Sequence, residues 1–303
     1  MYHYVRPPEE SNLRTLTIEN FRKQLDFIEE KFGFVCKADW ERYRYEGEAP
    51  TGALLTFDDG LSDHARYVVP ELRKRGLFGI FYVCSNPIKG LPLAVHLAHY
   101  LLAHNSVHFL IDCLKDRSDS LGVFLDAKSR KAYGNQDHSE LEKDFKRIVN
   151  WSARRQEFTG VLLDLFVEIS GKTIQDFVAD WYLGESDIKR LAIEGFEVGS
   201  HTCSHNLLSD LDESDIKNEL VESRQTLIEI TGSKVQSFCF PYGGTRSYNV
   251  KVLDLVNQSG YSEAISVEPK PIIGCNGSTR GRFELPRYDC NTFPFGTWSR
   301  TSI

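Results

Sequence analysis

Three short segments carry side chains that could do chemistry together: Thr56-Phe57-Asp58-Asp59-Gly60, Ser200-His201-Thr202-Cys203-Ser204-His205 and Phe240-Pro241-Tyr242-Gly243-Gly244. Each lies just beyond the carboxyl end of an expected strand, which is where α/β barrels assemble active sites. Adjacent carboxylates after an apolar strand are costly to bury unless something cationic neutralises them. A divalent metal would do so. If the histidine segment takes a helical turn, His201 and His205 could both face one ion, and a carboxylate from the first segment would complete a facial triad with open positions. Each segment alone has a plainer reading. Asp58 and Asp59 could be a turn and N-cap pair for the next helix, and the two histidines could be satisfied polar residues of the surface. Their joint occurrence, each at a strand end, favours chemistry.

The elements that must position these segments alternate in type. A strand over Tyr2 to Val5 and a helix from Ile18 to Phe32, capped by Thr17 and stopped by Gly33, open the chain. They are followed by the apolar run Ala53 to Phe57, a helix from Ser62 to Arg75 closed by Gly76, and a strand from Phe78 to Cys84. From Asn86 to Leu183 the rhythm becomes helical, with helices expected at Leu93 to Ala103, Glu140 to Val149 and Phe158 to Ile169, and an irregular stretch from Asp116 to His138. Alternation then resumes: helix Ser186 to Glu194, strand Phe196 to Ser200, helix Asp212 to Thr231, strand Gln236 to Phe240, helix Ser247 to Ser259 and strand Ser262 to Ser266. An extended piece at Arg282 to Tyr288 ends the pattern. Strands alternating with helices imply a parallel sheet or α/β barrel, here one domain over 1–303 with a helical insertion at 86–183. Following a strand at the active-site end, the insertion is expected to bear on substrate choice.

Composition narrows the partners. The 303 residues carry a formal charge of −7 with Lys and Arg dispersed, so there is no electrostatic footprint for nucleic acid. No apolar stretch is long enough to span a membrane. The seven cysteines are scattered and form no C-x-x-C pair, which fits reduced thiols. With no secretory signal at the start, a cytoplasmic setting is expected. The partner is expected to be a small or sugar-like molecule. Oligomeric state is not legible.

The three segments, together with Leu72-Arg73-Lys74-Arg75-Gly76 and Glu194-Gly195-Phe196-Glu197-Val198-Gly199, resemble the polysaccharide deacetylases, the NodB-homology or fourth carbohydrate esterase family. The resemblance covers residues 1–85 and 186–290. It implies a distorted (β/α)7 barrel of the NodB-homology type, with Asp59, His201 and His205 holding a divalent metal, Zn²⁺ foremost with Co²⁺, Ni²⁺ or Mn²⁺ as substitutes, and Asp58 as general base. The chemistry suits amide hydrolysis, which needs an activated water, a polarised carbonyl and a proton for the departing amine. The Tyr242 N–H, on a turn sharpened by Pro241 and Gly243, could hold the oxyanion, and these three residues are expected to meet the substrate.

The chain departs from the common family pattern. Cys239 stands where an arginine is usual, and the D-x-x-D-W and L-x-H-D motifs are missing. It resembles instead a rearranged branch with an opening Tyr2-His3 pair and a late Leu285-Pro286-Arg287. The resemblance makes His3 the proton donor, and an imidazole suits that task. Arg287 is the replacement arginine, orienting Asp58, against a plainer reading as a surface pair with Asp289. The function implied is removal of an N-acyl group, above all acetyl, from an amino sugar that is nucleotide-linked, lipid-linked or free, in cell-surface glycan biosynthesis. An amidase acting on a cyclic amide or ureide, or an inactive carbohydrate-binding relative, are the alternatives.

Overall fold

The structure, a computed structural model, describes residues 1–8, 13–118, 139–152, 156–272 and 280–296. Most of the stretch expected to be irregular, and Cys275, lie outside these. The chain divides into two compact units, one of strands and helices and one wholly helical.

The first unit holds two short strands, β1 (Val5–Arg6) and β2 (Leu16–Thr17), and a five-stranded sheet. Its strands β3 (Leu55–Phe57), β4 (Gly79–Val83), β5 (Glu197–Ser200), β6 (Ser237–Cys239) and β7 (Glu263–Ile265) lie side by side in sequence order. All pairings are parallel. Parallel bridges extend both edges, Tyr2 to Phe57 and Ile265 to Leu285, giving seven strand positions. The Cys290 N–H donates to the Met1 carbonyl at 3.1 Å and joins the two edges. This is the expected distorted (β/α)7 barrel.

The expected strand Tyr2 to Val5 is split, and the reason is a change of partner. Tyr2 exchanges hydrogen bonds with β3, donating to the Thr56 carbonyl at 2.9 Å and accepting from the Asp58 N–H at 3.0 Å. Tyr4 has turned to β2, its carbonyl accepting from the Leu16 N–H at 3.0 Å. His3 sits at the switch between them. The expected extension Arg282 to Tyr288 is likewise reduced to the Leu285 bridge, after a 3₁₀ turn at Arg280–Phe283.

Helix α1 (Ile18–Lys31) starts where Thr17 caps it, the hydroxyl accepting from the Asn20 N–H at 3.1 Å. Helix α2 (Lys37–Glu46) was not expected, because its sequence has no continuous apolar stripe. It buries Trp40, Tyr43 and Arg44, and the rings pack with Ile80, Tyr82, Cys239 and Ile265. Alternate β4 residues Phe81 and Val83 join the larger cluster with Phe57, Leu72 and Phe238, so β4 is buried on both faces. A π-helical turn, His64–Val68, leads into α3 (Val69–Arg75), which ends at left-handed Gly76.

The second unit contains α4 (Ala94–His104), α5 (Val107–Ser118), α6 (Glu140–Ser152), α7 (Gln156–Ser170) and α8 (Ile174–Trp181), the last residue of α8 falling in the first unit. Its core is built on Leu101, Leu110, Phe145, Leu162, Phe166 and Phe177, all fully buried. Helices α5 and α8 were not expected. Back in the first unit, α9 (Glu185–Ile193), α10 (Glu213–Thr231) and α11 (Val250–Gln258) separate the later strands. Among the described residues no helix is long and apolar enough to cross a membrane. The described cysteines are free thiols.

Candidate active site

The three segments converge at the carboxyl ends of β3, β5 and β6 through unusual backbone. Among the described residues five non-glycines have positive φ, and four belong to these segments: Asp59 (75°), Thr202 (69°), His205 (61°) and Tyr242 (64°). Left-handed backbone costs an L-residue about 1–2 kcal/mol, so its concentration at one place marks a site whose geometry is imposed by its surroundings. The histidines therefore meet differently from expectation. No helical turn forms; left-handed Thr202 and His205 fold the segment back so that the rings lie 4.9 Å apart. Gly243 is required at its position, because a Cβ there would lie 2.2 Å from Val267 Cγ2.

Asp59, His201 and His205 are buried, and their potential ligand atoms all lie within 4.8 Å of one another. His201 Nε2 and His205 Nε2 stand 3.3 and 3.4 Å from the same oxygen, Asp59 Oδ1. These separations are long for charged hydrogen bonds. They match the edge of a tetrahedron, about 3.3 Å, built on metal bonds of about 2.0–2.1 Å. His201 Nδ1 donates to the Cys239 carbonyl at 2.8 Å, which fixes the tautomer and leaves Nε2 to face Asp59. The donor set thus fits a divalent cation. A second group, Asp58, His201 and Cys239, is also close enough, but the Arg287 guanidinium already lies against Asp58 and Cys239 and would repel an ion. Among the described residues the insertion histidines His96, His99, His104 and His108 form no such group.

Asp58 is held by Arg287, whose Nη1 donates to Oδ1 at 2.8 Å and whose Nη2 donates to Oδ2. The surface pairing of Arg287 with Asp289 is replaced by a buried, two-pronged one. Arg287 Nη2 also approaches Cys239 Sγ at 2.9 Å, so the guanidinium occupies the neighbourhood of the residue that stands where the arginine is usual. Burial works to raise the Asp58 carboxyl, but Arg287, then His201 and His3, pull it to about 2. His3 lies at the same place: its Nε2 is 3.8 Å from Asp58 Oδ2, and its side chain is 36% exposed and so open to a substrate. The Tyr242 ring rests 4.8 Å from that of His205.

Two supporting residues were not anticipated. His64 is fully buried against Phe57 and Phe81, and its Nε2 donates to the His3 carbonyl at 3.0 Å, anchoring the residue that bears the proposed acid. Burial lowers it to about 4, so it stays neutral. Glu219 of α10 accepts the backbone N–H groups of Cys203 and Ser204. Nothing in the sequence spacing marks either one. Cys203 is buried beside α10, with Sγ 3.6 Å from the Glu219 carbonyl.

The polysaccharide deacetylase family matches residues 156–264. The chain resembles a polysaccharide deacetylase. The match includes His201, His205 and Pro241 to Gly243; it reaches further into the helical region than expected, and it leaves His3, Asp58, Asp59 and Arg287 outside. No curated protein matches. Among solved structures, the Streptococcus pyogenes deacetylase PplD, in complex with acetate, is 15% identical, with a TM-score of 0.56 over 95% of this chain and 89% of that one. A de-N-acetylase from Aggregatibacter actinomycetemcomitans is 12% identical, with a TM-score of 0.55 over 95% and 92%. IcaB from Ammonifex degensii is 16% identical, with a TM-score of 0.51 over 95% and 88%. At these identities the likeness is one of fold.

Proposed function

We propose that the chain is a metal-dependent N-deacetylase acting on an N-acetylated amino sugar. The observation that carries this is the convergence of Asp59, His201 and His205 on one point, beside a second carboxylate, Asp58, that faces an arginine and a histidine. A cation held by those three residues, Zn²⁺ foremost, supplies Lewis acidity toward the acyl oxygen and lowers the pKa of water.

The remaining steps belong to the protein. Asp58, whose pKa Arg287 helps hold at about 2, is ionised near neutral pH, orients the attacking water and takes its proton. His3 Nε2, 3.8 Å from Oδ2, gives its proton to the departing amine, and Asp58, too acidic to keep the proton it took from water, then returns one to the neutral imidazole. The Tyr242 N–H, on the Pro241 to Gly243 turn, is assigned to the oxyanion. Asp58, Asp59, His201 and His205 are all in place, which argues against an inactive relative.

The family match favours a sugar over a ureide and a polymer over a small carrier-linked sugar. The test is acetate release and loss of one acetyl mass from N-acetylated amino-sugar oligomers, in the presence and absence of added Zn²⁺ or Co²⁺. Turnover of a cyclic ureide with none of the oligomer, or full activity in a preparation shown to be metal-free, overturns the proposal. Activity confined to nucleotide-linked or lipid-linked sugars keeps the chemistry and changes the substrate.

A further inference from the structure

The segment between the two histidines has to be held in shape from outside, since Thr202 and His205 are both left-handed. Part of that support comes from β4 and the residues after it. Ser85 N–H donates to the Thr202 carbonyl at 3.1 Å, and Asn86 N–H donates to that of Cys203 at 2.9 Å. Those bonds secure carbonyls only. The N–H groups of Cys203 and Ser204 both donate to one oxygen, Glu219 Oε2, at 2.7 and 3.0 Å. The Ser204 hydroxyl donates to the other, Oε1. One turn along α10, Ser223 meets the Ser200 hydroxyl at 2.7 Å. Residues four apart share a helix face. A single face of α10 therefore grips the histidine segment from the strand end through Ser204.

We propose that Glu219 is a positioning residue that sets the separation of the His201 and His205 imidazoles and, through it, the cation affinity of the site; this rests on reading Asp59, His201 and His205 as a metal site. Three donors converge on one group, so an acceptor-only side chain is required there. Glutamine would turn an NH₂ donor toward donors, so Glu219→Gln is as informative as Glu219→Ala while conserving volume. Outer supports of metal ligands are worth about 10–100-fold in affinity.

The test is Co²⁺ titration of the full chain, read by visible absorption and chelator competition, with amide hydrogen exchange on the metal-free protein. Both variants are expected to bind Co²⁺ about 10–100-fold more weakly, with an altered visible band. Exchange at Cys203 and Ser204 is expected to quicken. Ser204→Ala, which removes one donor, is expected to do less. If Glu219→Ala fails to fold, Glu219→Gln decides. Variants that match the wild-type affinity and spectrum overturn the role of Glu219 alone, whereas a wild-type chain that binds no Co²⁺ overturns the metal reading itself.

Discussion

At the amino end of the sheet Arg44 donates to both Glu197 and Glu263, the first residues of β5 and β7, while at the carboxyl end Arg287 donates to Asp58. All the partners come from the same barrel unit. The outcomes are opposite. Burial, reinforced by the Glu263 charge and only partly offset by Arg44, pushes Glu197 up to about 7. One guanidinium facing a single carboxylate, aided by His201 and His3, brings Asp58 to about 2. The ratio of partners decides the sign. A shared arginine leaves surplus negative charge that a proton relieves, and a dedicated one keeps its carboxylate ionised. In the proposed site the surplus carboxylate is Asp59, which faces imidazoles and, in our reading, a cation.

The largest effect that would test this contrast is at the carboxyl end. His201→Ala is expected to lose both the cation and activity while the barrel stays folded, as measured by metal content and near-UV circular dichroism, because a cation in the proposed site would be catalytic and not structural. A variant that retains both would remove the site. Next in size, His3→Ala is expected to keep the cation and lower kcat on an amide by about 10²–10⁴-fold. On an activated aryl ester, whose leaving group needs no proton, the loss should be smaller; equal losses on both substrates count against an acid role.

A paired experiment then sets the two arginines against each other. Arg287→Met and Arg44→Met each strand a buried carboxylate and are expected to cost about 3–5 kcal/mol in denaturant unfolding. Only Arg287→Met should also move the acid limb of kcat/KM to higher pH, since it frees Asp58 from the charge that holds it at about 2. A matching shift from Arg44→Met would erase the distinction between the two ends. The smallest effect is at Glu197. Its folded value of about 7 lies above the ordinary 4.5, so the native state binds the extra proton, and stability falls as pH rises between those values. Asp58 runs the other way, its contribution present above about 3.8 and lost as pH falls toward 2. Glu197→Gln should flatten the first dependence, leave the second, and leave kcat unchanged.

Much of this was legible because it rests on local rules. The Thr17 cap, the Gly76 stop and the three strand-end motifs are written in consecutive residues. What was missed depends on partners distant in sequence. Helix α2 has no amphipathic stripe because its Trp40, Tyr43 and Arg44 fill one end of the barrel interior, where rings and a charge are both useful. Glu219 looks like any acidic residue of an exposed helix until Cys203 and Ser204 are seen against it. The histidine spacing suggested a helical turn, and left-handed backbone achieved the same convergence by another route.

The joining of the barrel's edges also ties the proposed site to contacts distant in sequence. Asp58 and Arg287 are separated by 229 residues, and the Cys290 N–H that closes on Met1 comes later still. Bringing groups that far apart in sequence together carries a loop-closure cost, so the pair forms only with the long-range closure of the barrel. Burying Asp58 without that partner would be costly. In our reading, the long-range contact that lets Asp58 be buried is the same one that arms the proposed base.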